Sequence, residues 1–574
     1  MKERAFKTVV IGSGCAGLNA ADWLAALGET DVALLTENMQ SGTSRNTGSD
    51  KQTYYKLSLA GDDGDSVGDM AATLLRADVH GDTALCEASN SARCFLKLAA
   101  LGVPFPTNEY GEYVGYQTDH DVRRRASSAG PLTSRFMTEA LEASVRARGV
   151  TILDRTLAVR ILTDESGVTG LVCLDTQRME WLHIRCAHVV MCTGGPALIY
   201  RNSVYPRSQC GMSGMAFEAG AAGANLDCWQ YGLASVKFRW NVSGSYQQAL
   251  PRYISIDESG VQREFLADAL GPVEAMNRVF LKGYQWPFDP RKADGSSRVD
   301  ILVKAEEDRG RRVYMDYTRN PTGYDLSVLS AEARDYLINC GADRATPIER
   351  LRAINAPAIA LYKNHGIDIE REPLEVRVCA QHHNGGVAVD ANWQTEVPGL
   401  YVCGEAAGTF GKYRPGGSAL NSTQVGSMRA AEHIARRSKR QVPEHCASAE
   451  APMVPAGDAA ALLLRLQSDM TRFAAFQRDA DGMRAMLAEI EARLSDLIPA
   501  DLRDPQLITR LRLRDLMLTQ REVLSAMLTS LEEDTDEGVL TTRGGVSRRE
   551  AARPLPERDL WFERVWQRFR EVTP

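Results

Sequence analysis

The sequence predicts an α/β protein built on a parallel, doubly wound sheet, and three stretches carry that reading. A β-branched run from Thr8 to Ile11 ends in Gly12-Ser-Gly14-Cys-Ala16-Gly17, then continues as a helical pattern to Leu27 and a second strand, Val32 to Leu35. This strand-turn-helix-strand setting is what makes G-x-G-x-x-G informative. A buried strand from His188 ends in Thr193-Gly194-Gly195, and another, Leu400 to Cys403, ends in Gly404-Glu405. Strands that end in this way set their loops along one carboxyl edge of the sheet, where doubly wound folds bind ligands.

The glycines at 12, 14 and 17 have separate jobs: a tight turn, close approach to a pyrophosphate, and packing of helix on strand. An acidic residue is expected at the end of the second strand for an adenosine ribose; Glu37 is the candidate and Thr36 the alternative. Ser41 to Ser49, with Ser44, Arg45, Thr47 and Gly48, is too poor in apolar residues to be core. It reads as a surface loop or as backbone lying against a cofactor. Glu405 places a carboxylate where it can hold a cofactor hydroxyl. Gly416-Gly417 lets backbone approach a flat ligand, and the helix starting near Ser418, Ala419 and Leu420 points amide N–H groups toward it.

Between these stretches lies an irregular polar segment, Gly115 to Pro131. Its Asp119-His120-Asp121 has metal-ligand residue types, but three adjacent side chains on one loop seldom converge on one ion, so no metal is expected. Ser134 is placed to cap a helix that runs to about Arg148. Short strands are expected at Ile152 to Leu153, Ala158 to Leu162, Val168 to Asp175 and Trp181 to Arg185.

At 574 residues the chain is large enough for several domains, and its net charge of -7 argues against nucleic acid as a main partner. The twelve cysteines include no Cys-x-x-Cys pair, so they read as reduced, buried residues and not as ligands of an iron-sulfur cluster. No apolar run reaches the roughly 18 residues of a membrane span, and Met1 to Arg4 leads straight into a strand. A cytoplasmic location is the expectation.

Gly12 to Gly17, Cys192-Thr-Gly-Gly195 and Gly404-Glu405, in this order, resemble the flavoprotein subunits of succinate dehydrogenase and fumarate reductase, a family that includes L-aspartate oxidase and adenylylsulfate reductase. The resemblance implies FAD, and a Rossmann-like FAD-binding domain in two parts, 1–225 and 346–445. It further implies an inserted α+β capping domain over 226–345, a helical domain over 455–532 and a C-terminal extension over 533–574. Leu462, Leu463, Leu466, Met470 and Phe473, then Met483, Leu487, Ile490 and Leu494, recur at helical spacing in the expected place. Members with covalent FAD carry a His two residues after the Arg matched by Arg45; here that position is Thr47, so the FAD is expected to be non-covalent.

Such enzymes move a hydride between the flavin and a carbon beside an activating group. Arg414, in Arg-x-Gly-Gly-x-Ser/Ala, matches the residue that binds a substrate carboxylate or carbonyl, a role suited to a planar guanidinium fork. Arg298, in Ser297-Arg298-Val299, resembles the proton-donating Arg of the capping domain.

Three motifs of the dicarboxylate-using members are missing. Gln230-Tyr231 is followed by Gly-Leu-Ala-Ser instead of His-Pro-Thr-Gly, Gly244 to Gln248 replaces Thr-Glu-x-x-Arg, and Gln381 stands where a substrate-binding His is expected. Succinate and fumarate are therefore not expected as substrates. His382 and His383 are candidates to replace the lost acid or to anchor substrate, with one of them read alternatively as a core histidine. Trp229, Tyr231, Phe238, Trp240 and Tyr246 crowd one segment, either as walls of a pocket for a bulkier substrate or as the capping domain's own core. The reading that results is an FAD-dependent reductase or dehydrogenase acting on CH–CH bonds and exchanging electrons with a partner. An oxidase using oxygen and an electron-transfer subunit docked to an iron-sulfur protein are the alternatives.

Overall fold

A computed structural model describes residues 2–572 apart from 62–63, 77, 119, 447–449, 534 and 536, so Asp119 lies outside the described residues. The first sheet has seven strands. Lys2–Ile11 runs parallel between Val32–Leu35 and Glu180–Met191, and Thr151–Leu153 extends the sheet beyond Val32–Leu35. Val9, Val10, Leu34, Val189, Val190 and Val402 are fully buried. Burial on both faces is why these strands read as unbroken apolar runs.

The strand expected to stop at Arg185 instead continues unbroken from Glu180 to Met191. It does so by changing partners: residues 180–185 pair antiparallel with Gly167–Asp175, and residues 189–191 pair parallel with Leu400–Val402. Buried His188, between the two stretches, hydrogen bonds through Nε2 to Ser438 Oγ at 3.1 Å. The helix Thr133–Ala147 also differs from expectation, because Leu132 takes the cap position and Ser134 lies inside the first turn. The Ser134 hydroxyl donates to the Ser44 carbonyl at 2.6 Å, and its N–H donates to Gln52 Oε1 at 2.9 Å. Ser134 thus ties the helix to the loop after the second strand.

A second, six-stranded antiparallel sheet includes Trp229–Ser235, Leu374–His383, Arg312–Asp316 and Arg252–Ile256 in that spatial order. Leu374–His383 sits in its middle, although it lies well past residue 345 in the chain. Three helices, Ala459–Phe473, Ala480–Ser495 and Leu507–Glu532, bury Leu462, Leu466, Met470, Met483 and Ile490. The hairpin Val539–Arg543 and Val546–Glu550 then pairs with Gly223–Ala224. No described helix is long and apolar enough to cross a membrane.

Candidate active site

At the carboxyl edge of the first sheet, close packing removes side chains. Gly12 has φ +110°, and a Cβ there would overlap the Cys192 carbonyl; one on Gly17 would overlap the Gly12 carbonyl oxygen. Gly14 is the N-cap of the helix Cys15–Ala26 and carries no capping side chain; the Cys15 N–H donates to Ser44 Oγ at 3.2 Å, and the N–H groups that follow it in the first turn stay open to the space in front. That space is a cavity of about 590 Å³.

Gly12, Gly14, Ala16, Thr36, Glu37, Ser44, Thr47, Gly48, Thr193, Gly194, Gly404, Glu405, Ala419 and Leu420 all line this cavity. The other three residues expected at the cofactor are not on its wall. Gly17 is spent on the crossing of helix and strand. Arg45 turns to the helix Thr133–Ala147 and pairs with Glu142 at 2.6 Å, since that carboxylate offers a charge that the loop does not. Ser418 is 1% exposed, its N–H donating to the Pro415 carbonyl at 3.1 Å inside the Gly416-Gly417 turn.

Glu405 is largely buried, and its Oε1 accepts from the Tyr205 hydroxyl and from the His383 N–H at 2.9 Å. Burial pushes this carboxyl up to about 7, against the hydrogen bonds and Arg414, which lower it. Glu37 receives the guanidinium of Arg512 from the helix Leu507–Glu532. Thr47 Oγ1 donates to the carbonyls of Val204 and Arg239, each at 3.1 Å, so the loop offers no imidazole for a covalent bond at this position.

At the other end the wall comes from the second sheet and its loops. Arg414 Nη2 donates to Gln230 Oε1 at 2.6 Å, while its buried Nε has no protein partner. Desolvation lowers this guanidinium to about 10, with Glu405 and Tyr205 opposing. Gln381 Oε1 accepts from Trp286 Nε1 at 2.6 Å. His382 Nδ1 lies 2.9 Å from Asn384 Oδ1, and Nε2 is buried without a hydrogen-bond partner, 3.9 Å from Glu405 Oε1. Burial, then Arg414, holds this imidazole well below its ordinary value and therefore neutral.

Two residues expected to act catalytically are not brought to the cavity wall. His383 stacks on Trp229 with ring centroids 4.2 Å apart and places Nε2 3.2 Å from the Leu226 carbonyl, so its side chain belongs to the core. Arg298 begins the helix Arg298–Asp308 off the wall, because Asp289 to Ser297 closes on itself through Asp289 N–H to Ser297 Oγ at 3.0 Å. The aromatic segment is likewise absent from the wall. Trp240 and Tyr246 are buried, Phe238 stacks on His365 at 3.7 Å, and the Tyr231 hydroxyl meets that of Tyr200 at 2.9 Å. The aromatic residues on the wall are instead Tyr116, Tyr205, Tyr284, Trp286 and Tyr336. They come from loops and, for Tyr336, from the helix Ala331–Asn339, with no periodicity to announce them.

Residues 7–420 match the family described as FAD binding domain. The chain belongs to this FAD-binding family. Among curated relatives, L-aspartate oxidase of Mesorhizobium japonicum is 28% identical over 446 residues, 74% of each chain. L-aspartate oxidase of Streptomyces coelicolor is 26% identical over 503 residues, 83% of this chain and 77% of the relative. Among solved structures, Mycobacterium smegmatis Sdh1 in complex with UQ1 superposes with a TM-score of 0.74 at 17% identity, over 97% of this chain and 96% of that one. The quinol fumarate reductase FrdA of E. coli reaches 0.70 at 17% identity, over 97% and 98%. These two likenesses show a shared fold.

The protein is thus an FAD-dependent oxidoreductase, and its cavity fits that cofactor. Glycine cradles the first-sheet end, helix N–H groups face a place for an anion, and the wall residues Thr43 and Thr193 bury hydroxyls that have no protein partner. FAD supplies the hydride chemistry when bound. The chain supplies position, exclusion of water and charge.

Proposed function

We propose that the chain is a dehydrogenase or reductase that moves a hydride between FAD and a carbon–carbon bond next to a carboxylate or carbonyl group, with Arg414 holding that group. The observation that carries this reading is the largely buried Arg414 guanidinium lining the same cavity as the glycine edge, with its Nε–H met by no protein acceptor. A desolvated guanidinium binds a carboxylate far more strongly than an exposed one does. Gln230, Gln248 and Gln381 meet the rest of the substrate as neutral amides. This supports a substrate with one anionic or carbonyl group at Arg414 and neutral polar atoms elsewhere. It speaks against succinate and fumarate, and with the aromatic segment in the core there is no support for an especially bulky substrate.

The second sheet and its loops act as the cap that closes over the substrate. Electrons pass to or from a separate carrier, since the sequence shows no cluster motif and no second nucleotide-binding G-x-G-x-x-G. The L-aspartate oxidase relatives favour a second reading, in which the hydride leaves a carbon bearing an amine. Anaerobic absorbance measurements separate the two. Dithionite-reduced protein should be reoxidised by monocarboxylate enoates or enones and not by fumarate, and oxidised protein should not be bleached by L-aspartate. Bleaching by L-aspartate, with peroxide released on admitting air, would establish amine oxidation instead.

A further inference from the structure

Three carboxylates line the cavity: Glu37, Glu405 and Asp50. Glu37 is taken by Arg512, and Glu405 by Tyr205 and the His383 N–H. Asp50 has no ion pair among the described residues, although it is only 4% exposed. Its Oδ2 accepts the Ser245 N–H at 2.7 Å, so the carboxylate of the loop after Gly48 reaches across to the second sheet's side of the cavity. Gly244, at φ +55°, has no side chain between them, and a Cβ there would overlap the Asp50 carboxylate. The same loop continues to Thr53, which packs on Gly417, close in the chain to Arg414.

We propose that Asp50 is the catalytic acid and base of the reaction, exchanging a proton with the substrate carbon beside the group held by Arg414. The inference rests on the hydride-transfer reading above. In the oxidising direction that carbon's C–H bond breaks, its proton goes to a carboxylate oxygen of Asp50, and its electron pair becomes the second bond of the new C=C. The neighbouring carbon gives its hydrogen with both electrons to the bound FAD, and Asp50 ends as a carboxylic acid. In the reducing direction the acid returns the proton.

The surroundings suit a group that must do both. Burial raises the Asp50 carboxyl above its ordinary range, with the Ser245 N–H and then Lys51 opposing. The other ionisable groups that sense Asp50 are the phenols of Tyr116, Tyr246 and Tyr336, each raised chiefly by its own burial and further by this carboxylate. Neutral phenols leave Asp50 free to titrate. The remaining side chains at the substrate end do not compete. His382 is held neutral by burial, and Arg414 remains cationic at any ordinary pH.

The test uses holoprotein with Asp50→Asn, which keeps an acceptor for Ser245, and Asp50→Glu. Flavin content and the visible-spectrum shift on binding a saturated monocarboxylate should change less than threefold, while flavin reduction slows on the order of 10²-fold or more. Deuterium wash-in from D2O into the substrate, read by mass spectrometry, should vanish in Asp50→Asn and return in part in Asp50→Glu. A flavin-loaded Asp50→Asn protein with wild-type reduction rate and wash-in would overturn the proposal. A substrate-free readout separates its failure from failure of the hydride-transfer reading. Infrared difference spectra between the acid and alkaline ends of the range in which the fold is stable should show a carboxylic-acid carbonyl band that Asp50→Asn removes and Glu405→Gln keeps. Absence of that band overturns the Asp50 assignment whatever the substrate proves to be; its presence with no carboxylate or carbonyl compound reacting would overturn the functional reading alone.

Discussion

The first sheet faces the cavity mainly with backbone, whereas the second faces it with side chains. On the first wall Gly12, Gly14, Gly194 and Gly404 bring amide and carbonyl groups to the surface, and overlap with neighbouring carbonyls leaves no room for larger residues at the tightest points. On the second, Gln230, Gln381, His382 and Trp286 line the cavity with side chains from strands and loops. A ligand held by backbone can change little without the fold changing. One held by side chains can be replaced position by position, so under the proposed function cofactor identity belongs to the first wall and substrate identity to the second.

The largest effect should come from adding one carbon just behind the first wall, where helix crosses strand. Gly17→Ala sets a Cβ on the Gly12 carbonyl oxygen, where backbone lies on both sides of the clash and neither side can rotate away. The cost should reach or exceed the upper end of ordinary overpacking, about 3 kcal/mol, and the yield of flavin-loaded protein should collapse. Wild-type melting temperature and flavin-to-protein absorbance ratio in this variant would remove the case for a rigid first wall.

Arg414→Ala should be next. Flavin content should hold, because Arg414 lies at the substrate end, while flavin reduction by substrate falls on the order of 10²- to 10³-fold. Arg414→Lys should rescue little, since a point charge cannot reproduce the fork that reaches both Gln230 and a ligand oxygen. Near-wild-type reduction in the alanine variant would transfer the anchoring role to the neutral amides.

The same division explains what could be read from the chain alone. Glycine spacing reports exclusion of Cβ atoms, which is a local property, so the turn at Gly12 to Gly17 and the edge at Gly404 were legible. The aromatic segment stayed open between pocket wall and core because proximity in sequence was weighed without strand alternation. In Trp229–Ser235 successive side chains leave opposite faces, so Gln230 reaches the cavity while Trp229 and Tyr231 enter the core. His382 pairs opposite Gln230 and His383 opposite Trp229, which sorts the two histidines by the same rule. Asp50, Tyr205 and Trp286 left no such trace. They reach the cavity through long-range packing, and no period in the sequence records it.

Smaller effects should appear in stability against pH, with opposite signs for the two walls. Glu405 is raised from 4.5 to about 7, so the folded state keeps a proton that the unfolded chain releases. Its contribution is full below about pH 4.5 and is lost as pH rises through about 7. His382 is lowered from 6.5, so its contribution is full above about pH 6.5 and is lost as pH falls through its folded value. Melting curves of apoprotein should therefore show Glu405→Gln flattening the decline between about pH 4.5 and about pH 7, and His382→Gln reducing the loss on the acid side. Identical slopes in wild type and both variants would mean that neither side chain is desolvated as its position implies.

The smallest effect is expected at Arg298, and it tests whether the second wall stays where it is. The side chain belongs to the first residue of the helix Arg298–Asp308 and is absent from the cavity wall. Its removal in Arg298→Gln should therefore cost less than about 0.5 kcal/mol in stability and change flavin reduction by less than twofold. A more than tenfold loss of rate with flavin fully bound would contradict a wall already in its working position. The loop from Asp289 to Ser297 would then have to swing Arg298 into the cavity during turnover, and the contrast between the walls would become one of rigidity against motion as well as of backbone against side chain.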